Sequence, residues 1–282
     1  MTAGSKLLST LTVTTIGLTC KAFLNSGLCS IQVNGIQTLK DALKNQKRNS
    51  GQGIITVSNH ISTLDDPVIW GMLPAQYYLS SMTTRWALGA SDIMFTNPVF
   101  STFFSLGQTI ETIRGKGIYQ AAVDIAIQKV NLGGWVHIFG EGKVNQPDTY
   151  LKTDQGHICL PRFKWGVGRI LMEAKVLPVV IPMWITGFDQ LMPEGRTFPY
   201  NYLPRIGARL SVTFGGPIAA NELLEALRPS ASHSNASHSN ASRESSALTG
   251  PSADTPNTTL TRQRVTAFIH HEVERLGVST GV

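Results

Sequence analysis

Three short apolar runs stand out along the chain: Ile54–Val57, Trp135–Phe139 and Val176–Ile181. Each is rich in β-branched or aromatic side chains, the pattern of a strand buried on both faces. Between the first two, Tyr119, Val123, Ala126, Ile127 and Val130 fall on one face of a helix. Buried strands alternating with amphipathic helices predict an α/β fold, a mixed sheet flanked by helices.

The two ends depart from that rhythm. Leu7–Cys20 carries no charge and includes Leu7, Leu8, Leu11, Val13, Ile16 and Leu18; Lys21 interrupts it, and Ala22–Ile31 resumes it. A bilayer span needs roughly 20 consecutive apolar residues, so the uncharged part is too short to cross alone. With Lys21 snorkelling, the combined stretch enters one leaflet partway. An interfacial or re-entrant anchor over residues 1–32 fits best; a signal anchor or a helix packed within the fold are the alternatives. The absence of arginine and of a clear cleavage site speaks against a presequence or a secretory signal.

The main domain then runs over 33–228. Residues 229–261 change character: Ser-His-Ser-Asn-Ala repeats in tandem from Ser232 to Ala241. Such a segment buries too little apolar surface to offset its ordering entropy and predicts a disordered insertion. Over 262–282, Val265, Phe268, Ile269, Val273 and Leu276 return to helical spacing, as for a C-terminal helix docked on the main domain.

Composition narrows the partners. Charged residues make up 15% of the chain, below the roughly one quarter of typical soluble domains. The net charge of +6 suits an anionic partner, nucleic acid or lipid. The chain has no continuous Lys/Arg block and no recognised nucleic-acid module, which sets nucleic acid aside. Cys20, Cys29 and Cys159 form neither a disulfide framework nor a zinc spacing. No nucleotide loop or metal-ligand cluster is visible, so no cofactor and no metal are expected.

The strongest chemical feature is Asn59-His60-Ile61-Ser62-Thr63-Leu64-Asp65-Asp66-Pro67, directly after the strand Ile54–Val57. A histidine leaving a strand end sits where α/β folds place their sites. Pro67 suits the first turn of a helix, which puts Asp66 at the N-cap and leaves Asp65 to turn back on His60. A carboxylate there fixes the ring tautomer and stabilises the imidazolium. His60 then takes a proton from a substrate hydroxyl that attacks an ester carbonyl. Taken alone, a His near an Asp is more often structural.

Three further blocks add weight. Gly107–Arg114 ends in a cation. Phe139-Gly-Glu-Gly-Lys143 follows a strand; its glycines permit close backbone approach to a ligand, Lys143 brings charge for a phosphate, and Glu141 is placed to orient Arg114 or a substrate hydroxyl. Val176–Pro182 reads as a wall for an acyl chain. Each block is weak by itself.

In this order the four blocks resemble the glycerolipid acyltransferase superfamily, and more narrowly the tafazzin family. The narrower likeness rests on Asp65-Asp66-Pro67 with Trp70-Gly71, on Gly140–Asn145, on Arg162–Arg169 and on Ile181–Asp189. The resemblance implies a glycerol-3-phosphate acyltransferase-like fold and a catalytic pair of His60 and Asp65. It implies that Arg114, Glu141, Gly142 and Lys143 bind the phosphate and glycerol of the substrate. Gly140 stands where the family usually has proline, which loosens that turn. Arg162, Lys164 and Arg169 add a cationic cluster of candidate headgroup contacts, with a solvated basic helix end as the plain alternative.

The activity so implied is coenzyme-A-independent transfer of acyl chains between phospholipids and lysophospholipids. The substrates implied are a phosphatidylcholine-type donor and monolysocardiolipin, in cardiolipin remodelling on mitochondrial outer and inner membranes facing the intermembrane space. An acyl-CoA-dependent lysophospholipid acyltransferase would use the same blocks, and a lipid-binding scaffold would use the anchor and cations without His60. The oxyanion stabiliser is not identifiable from sequence, and the oligomeric state stays open.

Overall fold

A computed structural model describes residues 3–152, 154, 158–229 and 255–281 of the chain. The strands are β1 (Ser30–Asn34), β2 (Ile54–Ser58), β3 (Arg85–Ala90), β4 (Thr109–Thr112), β5 (Trp135–Phe139), β6 (Leu151–Lys152), β7 (Ile158–Cys159), β8 (Val179–Thr186) and β9 (Arg209–Phe214). The helices are α1 (Ala3–Asn25), α2 (Ile36–Lys44), α3 (Asp65–Trp70), α4 (Ser91–Met94), α5 (Pro98–Leu106), α6 (Ala121–Asn131), α7 (Gly166–Glu173), α8 (Phe188–Leu191), α9 (Ala220–Leu227) and α10 (Pro256–Ser279).

Seven strands form one mixed sheet in the order β1-β9-β8-β2-β5-β3-β4. β8, β2, β5, β3 and β4 run parallel, and β9 pairs antiparallel with β8. β1 pairs parallel with β9. β2 and β5 are central because their side chains suit burial on both faces: every residue of β2 is buried. The C-terminal ends of the five parallel strands share one edge of the sheet, and the N-terminal ends of β9 and β1 arrive at that same edge. In such sheets this edge is where ligands bind.

Sequence and structure differ in several places. The strand expected at Val176–Ile181 lies at Val179–Thr186; Pro178 precedes it. Val180, Ile181 and Met183 on β8 are fully buried in the core, so this strand supports the sheet and offers no wall to an acyl chain. Helix α6 buries Ala122, Val123, Ala126, Ile127 and Val130, but Tyr119 precedes it and is exposed. β1 and β9 escaped notice because only alternate residues of each are well covered.

The N-terminal segment is one continuous helix of 23 residues. Its stretch Gly4–Asn25 is long and apolar enough to cross a membrane. Ser9, Val13 and Leu24 are buried against the domain, and Ser9 Oγ donates to Leu106 O at 2.8 Å. Lys21 does not snorkel: its Nζ donates to Leu73 O at 3.0 Å, which pins the helix to the domain. Leu7, Leu8, Leu11 and Leu18 face outward. Beside them α5 buries none of its residues and exposes Val99, Phe100 and Phe103.

The low-complexity run from Ser232 to Ala241 lies outside the described residues. The C-terminal helix, expected from 262, begins at Pro256, because Thr255 caps it and its side chain accepts from Thr258 N at 3.2 Å. Val265, Ile269 and Val273 are fully buried against the sheet and its helices. Ile269→Ala leaves a cavity there, so denaturant unfolding in detergent should show a loss of about 2–5 kcal/mol. A loss below about 0.5 kcal/mol would mean that this helix is not docked on the domain.

Candidate active site

The chain turns sharply after β2, and backbone N–H groups converge on one carboxylate. Asp65 Oδ2 accepts from Ile61 N at 2.8 Å, from Ser62 N at 2.9 Å and meets His60 Nδ1 at 2.8 Å. Asp65 is fully buried, whereas the His60 side chain is 19% exposed. The imidazole therefore has a buried end, Nδ1, and an outer end, Nε2, with no hydrogen-bond partner among the described residues. Burial pushes the Asp65 carboxyl up, opposed by His60 and the two backbone donors. Its Oδ1 is buried without a hydrogen-bond partner among the described residues, which adds to the cost of charge there.

Helix α3 begins two residues earlier than the N-cap reading of Asp66 requires, with Leu64 at the cap. Asp66 lies in the first turn and forms an ion pair with Arg85 on β3, whose Nε donates to Asp66 Oδ1 at 2.9 Å. Trp70 Nε1 donates to the same oxygen at 3.1 Å. Burial raises this carboxyl, but Arg85, with His137 and Trp70 beside it, leaves it below the usual range. Adjacent aspartates thus have separate duties: Asp66 ties α3 to β3, and Asp65 holds His60.

His60 is clamped through its backbone as well. Its N–H donates to Glu141 Oε1 at 2.8 Å, and its carbonyl accepts from Asn145 N at 2.7 Å. Asn145 Nδ2 donates to Glu141 Oε2, and Tyr150 OH donates to Glu141 Oε1 at 3.4 Å. Glu141 is therefore a buried strut between the β5 loop and the His60 loop, which corrects its reading as a substrate-binding group or a partner of Arg114. Burial pushes its carboxyl up to about 7. Asn59 fastens the other side: its Nδ2 donates to Ile185 O and its Oδ1 accepts from Ile185 N, each at 2.9 Å.

The ring rests on Phe139, stacked at 4.0 Å and 20°. Behind Phe139 stands His137, edge-on at 4.5 Å and bonded to Thr56 Oγ1 at 2.8 Å. Burial pushes His137 down to about 3. It is a neutral support within the sheet.

The turn at Gly140 is not loose. A Cβ there would meet the Phe163 ring at 2.5 Å, so Phe163 occupies the space a proline ring would need. Gly140 N donates to Ser58 O at 3.1 Å, and its carbonyl accepts from Lys164 N at 2.8 Å. Gly142 adopts φ 71°, a conformation that favours glycine.

The cations divide into two groups. Lys143, Arg162 and Lys164 are exposed, and Lys164 lies against Gly142. Arg114 follows β4 on the same edge, three strands from β2, or about 14 Å at 4.7–4.9 Å per strand. It is half-exposed and faces Asp92 at 3.4 Å. Arg169 is the exception. It is buried, pairs with Asp124 at 2.5 Å and Glu173 at 2.8 Å, and donates to Ile118 O at 2.7 Å. It braces α6 against α7 and is not a headgroup contact. Arg162 and Lys164 precede α7, so only Arg169 of the three lies on that helix.

A buried carboxylate behind an outward-facing imidazole, on the ligand edge of the sheet, is the frame of a general acid–base centre. The chain matches the family model described as Acyltransferase over residues 30–186. It is 39% identical to tafazzin from Drosophila melanogaster over 182 residues, covering 64% of this chain and 44% of that protein. It is 34% identical to a Dictyostelium discoideum protein named taffazin, covering 75% of this chain and 70% of that one. The chain belongs to the tafazzin group of the glycerolipid acyltransferases.

A further relative, the N-acylphosphatidylethanolamine synthase of Arabidopsis thaliana, is 39% identical over 68% of this chain and 65% of its own length. The lysophosphatidate acyltransferase PlsC of Thermotoga maritima superposes with a TM-score of 0.52 at 17% identity, over 95% of this chain and 79% of PlsC. That likeness shows the shared fold. Sequence reasoning misses Arg85 and Phe163, whose partners Asp66 and Gly140 are distant in the chain, and it gives no signal for the bonds of Asn145 and Tyr150 to Glu141.

Glu141 gives the site a pH signature. Burial raises its pKa to about 7 in the folded protein, from 4.5 for an ordinary glutamate. The folded state thus holds more protons than the unfolded state between those values, and stability falls as pH rises through that window. Thermal melts of Glu141→Gln should lose this slope while wild type keeps it. Parallel curves for the two proteins from pH 4.5 to 7.5 would rule Glu141 out as its source.

Proposed function

We propose that the chain transfers acyl groups between phospholipids and lysophospholipids without coenzyme A, with His60 as general acid–base and Asp65 as the group that holds it. The observation carrying this is the 2.8 Å contact of His60 Nδ1 with a fully buried Asp65, on the edge where Nε2 faces outward. The acceptor hydroxyl attacks the donor's ester carbonyl while Nε2 takes its proton. The tetrahedral intermediate collapses, the donor's C–O bond breaks, and the departing lysophospholipid oxygen receives the same proton. One ester forms as one breaks, so neither water nor a cofactor is consumed. The mechanism reads alike in both directions, as suits an exchange between similar lipids.

Arg114 and the exposed Lys143, Arg162 and Lys164 supply charge for headgroup phosphates. Cardiolipin remodelling, with monolysocardiolipin as acceptor and a phosphatidylcholine-type donor, is supported by the tafazzin relatives, as is a mitochondrial membrane facing the intermembrane space. The outward leucines of α1 and the uncovered α5 form an apolar flank suited to lipid. The Arabidopsis relative's name adds a second acceptor, the amine of phosphatidylethanolamine, which the same imidazole would deprotonate.

Purified protein in vesicles with labelled phosphatidylcholine and monolysocardiolipin, free of coenzyme A, should yield labelled cardiolipin. Label transfer only after acyl-CoA is added would reject the transacylase reading, and label appearing chiefly on the amine of phosphatidylethanolamine would favour N-acylation. His60→Ala and Asp65→Asn should each lower transfer by about 10²–10⁴-fold with vesicle binding intact. Full activity in His60→Ala would remove the mechanism.

A further inference from the structure

The segment from Met192 to Ala208 joins α8 to β9 on the edge that carries His60. Its backbone closes on itself: Asn201 N donates to Thr197 O at 3.1 Å, Tyr202 N to Pro199 O at 3.1 Å, and Leu203 N to Tyr200 O at 3.2 Å. Arg196 lies within it and donates to Pro193 O at 3.3 Å and Leu203 O at 2.8 Å. The base of the loop is pinned by Arg205 N to Leu191 O at 2.8 Å and Gly207 N to Leu28 O at 2.7 Å. Gln146 links its start to the active site, donating to Met192 O at 3.2 Å and Ile61 O at 3.5 Å.

A loop tied this thoroughly has a set shape, and that shape turns its apolar side chains outward. Phe198 is 80% exposed, Tyr200 62%, Tyr202 71%, Leu203 53% and Ile206 76%. Single exposed apolar residues are ordinary, but a contiguous patch marks an interaction surface. Arg205 and Arg209 are exposed among them, and no acidic residue lies from Gly195 to Arg209. Amphipathic aromatic rings beside arginine, without acid, suit the headgroup level of an anionic bilayer.

A second apolar patch stands across the site. Ile93 and Val99 follow the C-terminal end of β3, so they lie on the same edge and are 58% and 75% exposed. The mouth at His60 is thus flanked on the β9 side by the aromatic loop and on the β3 side by α4 and α5. Two apolar patches on either side of a lipid site point to a flat lipid surface more than to a protein groove.

We propose that residues 196–206 form an interfacial loop that dips into the surface of an anionic phospholipid bilayer and seats the His60 edge on it. The proposal rests on the reading of the substrates as bilayer phospholipids. Hydrogen exchange on the full chain, with vesicles of phosphatidylcholine and cardiolipin, tests the loop without relying on turnover. Backbone amides of 196–206 should gain protection on adding the vesicles, more than with phosphatidylcholine alone. In the triple variant Phe198→Ser, Tyr202→Ser and Ile206→Ser, that protection should vanish. Its transfer between vesicle-held lipids should fall about tenfold, while transfer between dissolved short-chain analogues stays within about twofold. Unprotected wild-type amides, or equal losses on dissolved and vesicle-held substrates, would overturn the proposal. If wild type transfers no acyl group to any acceptor, the functional reading fails, and the exchange result alone decides the loop.

Discussion

The hydrogen bond between His60 Nδ1 and Asp65 Oδ2 is the contact on which the site depends. It joins an imidazole at the sheet edge to a carboxylate with no solvent exposure. A charge in that position is costly unless it is paired and well bonded. Two N–H groups from the intervening turn share the work with His60, so the five-residue spacing matters physically. The turn must be tight enough to aim both donors at the carboxylate and long enough to return it to the ring. Glu141 and Asn145 hold the histidine backbone in place, and Phe139 carries its ring.

Around that contact the protein buries an unusual amount of charge. Asp65, Arg85, Glu141 and Arg169 are all buried. Asp66 with Arg85, and Arg169 with Asp124 and Glu173, are ion pairs that register α3 on β3 and α6 on α7. Removing Asp66 strands the buried Arg85, and the buried Arg169 depends on its two half-exposed carboxylates, so these pairings are structurally expensive to break although none reaches the mouth of the site. Lys143, Arg162 and Lys164 stay exposed.

Much of this was legible in the sequence, for identifiable reasons. The continuous apolar runs of β2 and β5 and the helical stripe of α6 are strong periodic signals, and the His60–Asp65 relation is local enough to be read from spacing. What escaped depends on partners distant in the chain. Asp66 looked like a helix cap because its true partner, Arg85, lies on another strand. Glu141 and Arg169 looked like ligands because a charge in a glycine-rich or basic run gives no hint of its burial. Gly140 looked like a weakened turn because the ring that fills the space, Phe163, comes from beyond the β6–β7 hairpin.

The histidine's tautomer follows from its partner. With Asp65 ionised, the proton of a neutral His60 belongs on Nδ1, leaving Nε2 as the base. Nitrogen-15 NMR of histidine-labelled protein, with the His60 signals identified by their absence in a His60→Gln variant, reads this directly. At a pH where the ring is neutral, the account predicts a protonated Nδ1 and a bare Nε2. A ring protonated on Nε2 would contradict it, since that form cannot accept a proton from an attacking hydroxyl.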